Sequence, residues 1–153
     1  MSEFTHFNSE GRARMVDVSD KQATTRTAVA GGTVYFNEET FELVMRGEMK
    51  KGDVLAVAQV AGIMAAKKAA DLVPMCHPIV ISGVDISFTP DENRHAINIT
   101  AMVRCKGETG VEMEALTAVS VAALTIYDMC KATQKDILIS NIRLLQKTGG
   151  SKG

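Results

Sequence analysis

Asp128 and Lys131 stand three residues apart, directly after residues 115–127, a run with no charged side chain. On a helix that spacing makes them neighbours. A carboxylate that holds a partly desolvated lysine tunes it as an acid or base, because burial lowers a lysine pKa while the carboxylate raises it. A surface ion pair has the same spacing; the place of this one, at the end of an apolar run, sets it apart. Pro74-Met75-Cys76-His77-Pro78 pins a histidine between two prolines, each fixing its own φ and restricting the residue before it. A rigidly presented His suits proton transfer or a hydrogen bond to a ligand, although a lone His is more often a cap or a core residue. Cys76 and His77 are adjacent and lack the spaced partners of a closed zinc site, so no metal is expected.

Glu112 and Glu114 have alternate-residue spacing. If the chain is extended there, both carboxylates point the same way and form a pair of acceptors for guanidine-like nitrogens. If it is helical they diverge, and Glu114 is a first-turn acid complementing the helix dipole. Lys50 and Lys51 lie just ahead of Asp53, and a helix N-terminus with a lysine nearby is a generic anion receptor. No glycine-rich phosphate loop accompanies it.

Several elements must position these groups. Residues 24–36 are rich in Thr, Val and aromatics, with Gly31-Gly32 inside, and read as a strand with a bulge or bend. Asn37 followed by Glu38 and Glu39 opens a short helix through Met45 that ends at Gly47. Asp53 caps a second helix expected to run to about Asp71, stopped by Pro74. Residues 79–89 and 95–106 read as a hairpin around residues 90–94. A helix over about 110–132 and a strand over 136–147 close the pattern. The order β-α-β-β-α-β predicts an α+β fold, a ferredoxin-like (split βαβ) antiparallel sheet with helices on one face. One domain covers 1–153, with flexible segments expected at 1–14 and 148–153.

The two long helices are apolar nearly all round: residues 54–66 carry one polar side chain, Gln59, and residues 115–127 carry only Thr117, Ser120 and Thr125 before Tyr127. One sheet cannot cover every side of both, so a second copy of the chain is expected against them; two alanine-rich helices packed tightly together within one subunit is the competing reading. A distance leads to the same place. Glu114 and Asp128 are fourteen residues apart, about 21 Å along a helix. One small substrate reaches both ends only if two chains lie antiparallel, which puts the site at a subunit interface.

Composition excludes other classes. Seventeen basic and eighteen acidic residues leave a net charge of −1, no invitation to nucleic acid. Trp is absent and only five Phe and two Tyr occur, too few for base-stacking platforms. Three cysteines without a CxxC pair make neither a disulfide scaffold nor a four-cysteine zinc site. The longest uncharged apolar runs fall short of the ~20 residues of a membrane span, and no basic-then-apolar leader opens the sequence, so a cytoplasmic setting is expected. The residues by themselves describe an oligomeric α+β enzyme performing acid/base chemistry on a small, anionic, phosphate-bearing substrate. The alternatives are a non-catalytic ferredoxin-like nucleotide sensor and an RNA-binding module, the latter poor in aromatics on its strands.

Lys51-Gly-Asp-Val, Pro74-Met-Cys-His-Pro78 and above all the stretch from Lys106-Gly-Glu-Thr-Gly-Val-Glu-Met-Glu114 through Ile126-Tyr-Asp-Met-Cys-Lys131 resemble the MoaC family of cyclic pyranopterin monophosphate synthases. The resemblance extends from about Met15 to Gly150. Met75 departs from it, since Leu is expected there in many members, and the exchange conserves volume. The resemblance implies a hexamer built as a trimer of dimers, with active sites between dimer partners. It implies conversion of 3′,8-cyclo-7,8-dihydroguanosine 5′-triphosphate, a GTP-derived small molecule, to cyclic pyranopterin monophosphate and diphosphate, without a cofactor. It assigns Lys51, Asp128 and Lys131 to acid/base catalysis. Met75, Cys76, His77, Glu112, Met113 and Glu114 fall in or beside the pocket for the purine-derived ring, and Arg26, Lys67 and Lys147 fall at the phosphates.

Overall fold

A computed structural model describes residues 15–19 and 24–149. The arm expected at 1–14 and the tail beyond Gly149 lie outside the described residues.

Strand β1 (Thr24–Tyr35) pairs antiparallel with β3 (Ala96–Gly107) on one side and with β4 (Leu138–Thr148) on the other. Strand β2 (Ile81–Asp91) completes a four-stranded antiparallel sheet in the order β2-β3-β1-β4. The fold is α+β. The bulge expected at Gly31-Gly32 exists on one side only: the ladder to β3 is unbroken, while that to β4 shifts between Val29 and Ala30 and again between Gly31 and Thr33. Gly32 has a packing reason as well, since a Cβ there would stand 2.8 Å from Val119 Cγ1. Thr148, read from sequence as the start of the tail, is the last residue of β4 and pairs with Thr27. The ladder extends to it because β1 begins early enough, at Thr24, to supply a partner.

Helix α1 (Glu38–Met45) begins as its sequence predicts, with the Asn37 side chain accepting from the Thr40 N–H at 2.8 Å, and the chain leaves it through Gly47 at φ +67°. Helix α2 (Val54–Ala66) starts where Asp53 accepts from the Ala56 N–H at 3.1 Å. It does not reach Asp71. At Lys67 and Lys68 the α ladder gives way to a tighter turn, with the Lys68 N–H bonded to the Ala65 carbonyl, and a separate short helix α3 (Ala69–Leu72) follows. The break carries both lysines on the exposed side while Ala66 and Ala69 stay buried.

Helix α4 (Glu112–Cys130) is one unbroken element of 19 residues. By length and composition alone it is long and apolar enough to cross a membrane, further than its uncharged run by itself predicts, yet it is the central core helix, packed on β1, β3, β4 and α2. Ala115, Ala118, Val119, Ala122, Ala123 and Ile126 on its inner face are fully buried, each large side chain contributing roughly 1.5–3 kcal/mol by burial. Ala28, Ala30, Ile97, Ile99, Ala101 and Val103 of the sheet meet them from below. Along β3 the alternate residues Asn98, Thr100, Met102, Arg104 and Lys106 point away from the helices and are exposed or half-exposed, so the helices cover one face.

Helix α2 lies against α4 and reaches β2. Gly62 sets the approach, because a Cβ there would meet Ile86 Cδ1 at 2.4 Å and the Ala118 carbonyl at 3.1 Å. The two apolar helices therefore do pack tightly on each other. Even so, Val57, Val60 and Met64 on the outer side of α2 remain 45%, 57% and 61% exposed.

Candidate active site

The groups singled out by type and spacing gather at the two ends of α4. At its C-terminal end the Asp128 carboxylate lies between two ammonium groups: Lys131 Nζ is 3.0 Å from Oδ1 and Lys51 Nζ is 3.4 Å from Oδ2. Lys51 Nζ also donates to the Asp128 backbone carbonyl at 3.2 Å. Helix spacing brings Lys131 onto the carboxylate, and the Asp53 cap brings the loop carrying Lys51 to the same place. Hydrogen bonds from Lys131 and then Lys51, followed by their charges, hold the Asp128 carboxyl below its ordinary value. The lysine expected from sequence to be partly desolvated is half-exposed, as is Lys51. Within one chain the shift of the Asp128 carboxyl comes from hydrogen bonding and charge, and the apolar run ends one turn before Lys131. Exposed ion pairs contribute little to stability, so the trio is poorly explained as a structural device.

The other end is organised by burial. The chain there is helical from Glu112 onward, so the two glutamates diverge. Glu114 turns inward and is 3% exposed; its Oε2 accepts from Cys76 Sγ at 3.6 Å, and its buried Oε1 has no partner. Burial pushes the Glu114 carboxyl up. The Cys76 thiol is raised to about 11, first by burial and then by Glu114, which keeps it protonated and unreactive near neutral pH. Glu112 turns the other way and forms an ion pair with Lys147 at 3.4 Å. His77 Nε2 donates to the backbone carbonyl of Val16, so the Pro-flanked loop does present a fixed imidazole. Met75, Cys76, His77, Glu112 and Met113, with Val16, line a pocket of about 340 Å³.

Two of the cations expected at the phosphates sit apart from this pocket. Arg26 is nearly buried, and its guanidinium donates to the carbonyls of Gly107 (2.9 Å) and Glu108 (3.2 Å), bracing the segment that leads into Glu112. Lys67 is the exposed C-cap of α2. Because α2 runs antiparallel to α4, Lys51 stands at the Asp128 end and Lys67 at the Glu114 end. The unbroken helix separates Glu114 from Asp128 by about 21 Å, so one chain does not bring its two clusters together. Among the described residues no three His, Cys, Asp or Glu side chains are grouped to hold a metal ion.

Sequence reasoning missed the surroundings of the trio. Tyr127 donates its hydroxyl to the Lys135 carbonyl at 2.6 Å, and Lys135 Nζ donates to the Lys131 carbonyl at 3.1 Å. Both are bonds to main-chain carbonyls, which no sequence signal reveals, since any residue supplies a carbonyl.

Comparison with known proteins adds an independent line. Residues 15–150 match the MoaC family. Similar proteins include a cyclic pyranopterin monophosphate synthase of Thermoanaerobacter sp. (strain X514), 62% identical over 149 residues, which are 97% of this chain and 94% of that protein. Others with the same name come from Chloroflexus aurantiacus (strain ATCC 29366 / DSM 635 / J-10-fl), 59% identical over 99% of this chain and 93% of that protein, and Bacillus pumilus (strain SAFR-032), 57% identical over 100% and 95%.

Proposed function

The chain belongs to the MoaC family, and from that premise we propose how its own residues carry out the family's chemistry. Its activity is cyclic pyranopterin monophosphate synthesis, a lyase reaction of molybdenum cofactor biosynthesis. The substrate is the GTP-derived 3′,8-cyclo-7,8-dihydroguanosine 5′-triphosphate; the nucleotide's ribose and imidazole rings are reorganised into the pyranopterin, a cyclic monophosphate ester closes, and diphosphate leaves. Reorganising the rings requires several proton transfers, for which Lys51 and Lys131 are the carriers and Asp128 the group that orients and tunes them. Glu112, Met113, Glu114, Met75, Cys76 and His77 receive the purine-derived ring. Arg26, Lys67 and Lys147 supply positive charge to the phosphates as the diphosphate departs. Lys147 would exchange Glu112 for a phosphate oxygen, and Arg26, which gives two of its five N–H donors to carbonyls, would turn others to one.

The observation that carries this reading is the Asp128 carboxylate held between two lysine amines at 3.0 and 3.4 Å. A second copy completes the site: two antiparallel α2–α4 pairs would place the Glu114 end of one protomer against the Asp128 end of its partner. The exposed stripe of Val57, Val60 and Met64 supports that contact. Leu138, Ile142, Leu144 and Leu145, exposed along edge strand β4, support a further contact that builds dimers into a hexamer. The strand order β2-β3-β1-β4 supports the ferredoxin-like assignment, and the cytoplasm is the proposed setting. Incubating the purified protein with the cyclised triphosphate should release diphosphate and form cyclic pyranopterin monophosphate, followed by mass spectrometry. Binding of that nucleotide without turnover would replace the enzyme with a sensor.

A further inference from the structure

We infer that Tyr127 is a positioning residue for Lys131, acting through the turn that follows α4; the inference rests on the catalytic reading of Lys131. At Cys130 the helix ends, and the N–H groups of Thr133 (3.0 Å) and Gln134 (3.1 Å) both bond its carbonyl, folding the chain back. Lys131, Ala132, Thr133 and Lys135 in this turn are exposed. An exposed turn after a helix frays unless something outside it holds it, and Lys131 is its first residue. The hold comes from Tyr127, on the last full turn of α4 and packed against the core. Its hydroxyl donates to the Lys135 carbonyl at 2.6 Å, a short bond for an O–H donor, and Lys135 Nζ returns to the Lys131 carbonyl at 3.1 Å.

The same turn reaches the second lysine. Thr133 Oγ1 contacts the sulfur of Met49 at 3.5 Å, and Met49 is buried two residues ahead of Lys51. Gln134 receives the Asn37 N–H at 2.8 Å, fastening the far side of the turn to the start of α1. The backbones of Lys51 and Lys131 are thus referred to one turn, whose near side is tied to α4 at the Cys130 carbonyl and whose residue 135 is tied to α4 by the Tyr127 hydroxyl. A phenylalanine would supply the same packing. The hydroxyl adds only the fixed distance between α4 and residue 135, and with it the placement of the Lys131 amine on Asp128.

The test is steady-state turnover of the full-length protein at equal folded concentration, checked by circular dichroism. Tyr127→Phe should lower kcat about five- to tenfold with KM unchanged, the loss of one well-formed hydrogen bond felt at the reacting groups. Replacing Tyr127 by 4-aminophenylalanine, which restores a donor at the same position, should return most of the rate. Lys131→Ala, measured alongside, should be nearly inactive. If Lys131→Ala is inactive while Tyr127→Phe turns over at the wild-type rate, or loses rate that 4-aminophenylalanine does not restore, Tyr127 has no positioning role. Full activity of Lys131→Ala would overturn the catalytic reading itself.

Discussion

The two ends of α4 carry the same functional group in opposite environments. Asp128 stands exposed between two ammonium groups, which hold its carboxyl below its ordinary value of 3.8. Glu114 is buried, with one oxygen on a thiol and the other unpartnered, and its carboxyl is raised above its ordinary value of 4.5. One is an anion that organises cations; the other has its charged form disfavoured by burial. Burial and neighbouring charge drive carboxyl pKa values apart, and such a separation assigns different roles to chemically similar groups. The first end is suited to moving protons. The second leaves a buried carboxylate oxygen without a partner, which fits the proposed role of Glu114 in receiving the ring.

The sharpest break of that comparison is Asp128→Asn, which keeps shape and removes charge. Turnover should fall by about a thousandfold or more, with the circular dichroism spectrum unchanged, since a charge that orients two proton carriers is lost at once. An unfolded variant would make Asp128 structural. Next in size is a recovery. Glu114→Gln and Asp128→Asn, each inactive alone, should complement when refolded together, because a mixed dimer has one site with both wild-type side chains and one with both lesions. Activity should return to about half per heterodimer. No recovery in oligomers shown to be mixed by mass spectrometry would confine each site to one chain.

The contrast was only half legible in the sequence. The Asn37 and Asp53 caps, the hairpin and the strand at 24–36 were readable because each is dictated by neighbours in the chain. The i, i+3 relation of Asp128 and Lys131 was equally local. The break at Lys67-Lys68 was not, because Ala69 and Ala70 continue a helix-forming composition and only packing of the turn decides where the ladder ends. The direction of the glutamates depended on whether Glu112 is helical, a boundary question that short sequence leaves open. Arg26 shows the limit most clearly: a lysine or arginine on a strand gives no sign that its guanidinium will spend its donors on the carbonyls of residues 107 and 108.

Lys51 divides the lysines by role. It holds both the carboxylate and the backbone carbonyl of Asp128, so Lys51→Ala should cost kcat about a hundredfold while KM changes far less. Equal losses in kcat and in substrate affinity would move Lys51 from proton transfer to phosphate anchoring.

The smallest effect is on stability, and there the two ends should respond to pH with opposite sign. Glu114 has a folded pKa above its unfolded value, so below about 4.5 both states are protonated and the carboxyl carries no penalty. As pH rises through that value the unfolded chain ionises first, and the folded state loses ground until the folded carboxyl titrates as well. Glu114→Gln removes this loss: its melting temperature relative to wild type should climb between pH 4 and 7, with a gain of about 1 kcal/mol at neutral pH, the usual yield of relieving a strained functional site. Asp128 has a folded pKa below its unfolded value. Its contribution is present above 3.8 and fades as pH falls through that value, so Asp128→Asn should lose ground to wild type as pH rises from 3 to 5. Both trends come from the same thermal melts across pH. A Glu114→Gln protein that becomes less stable than wild type on going from pH 4 to 7 would mean that Glu114 is a paired anion, and the difference between the two ends of the helix would disappear.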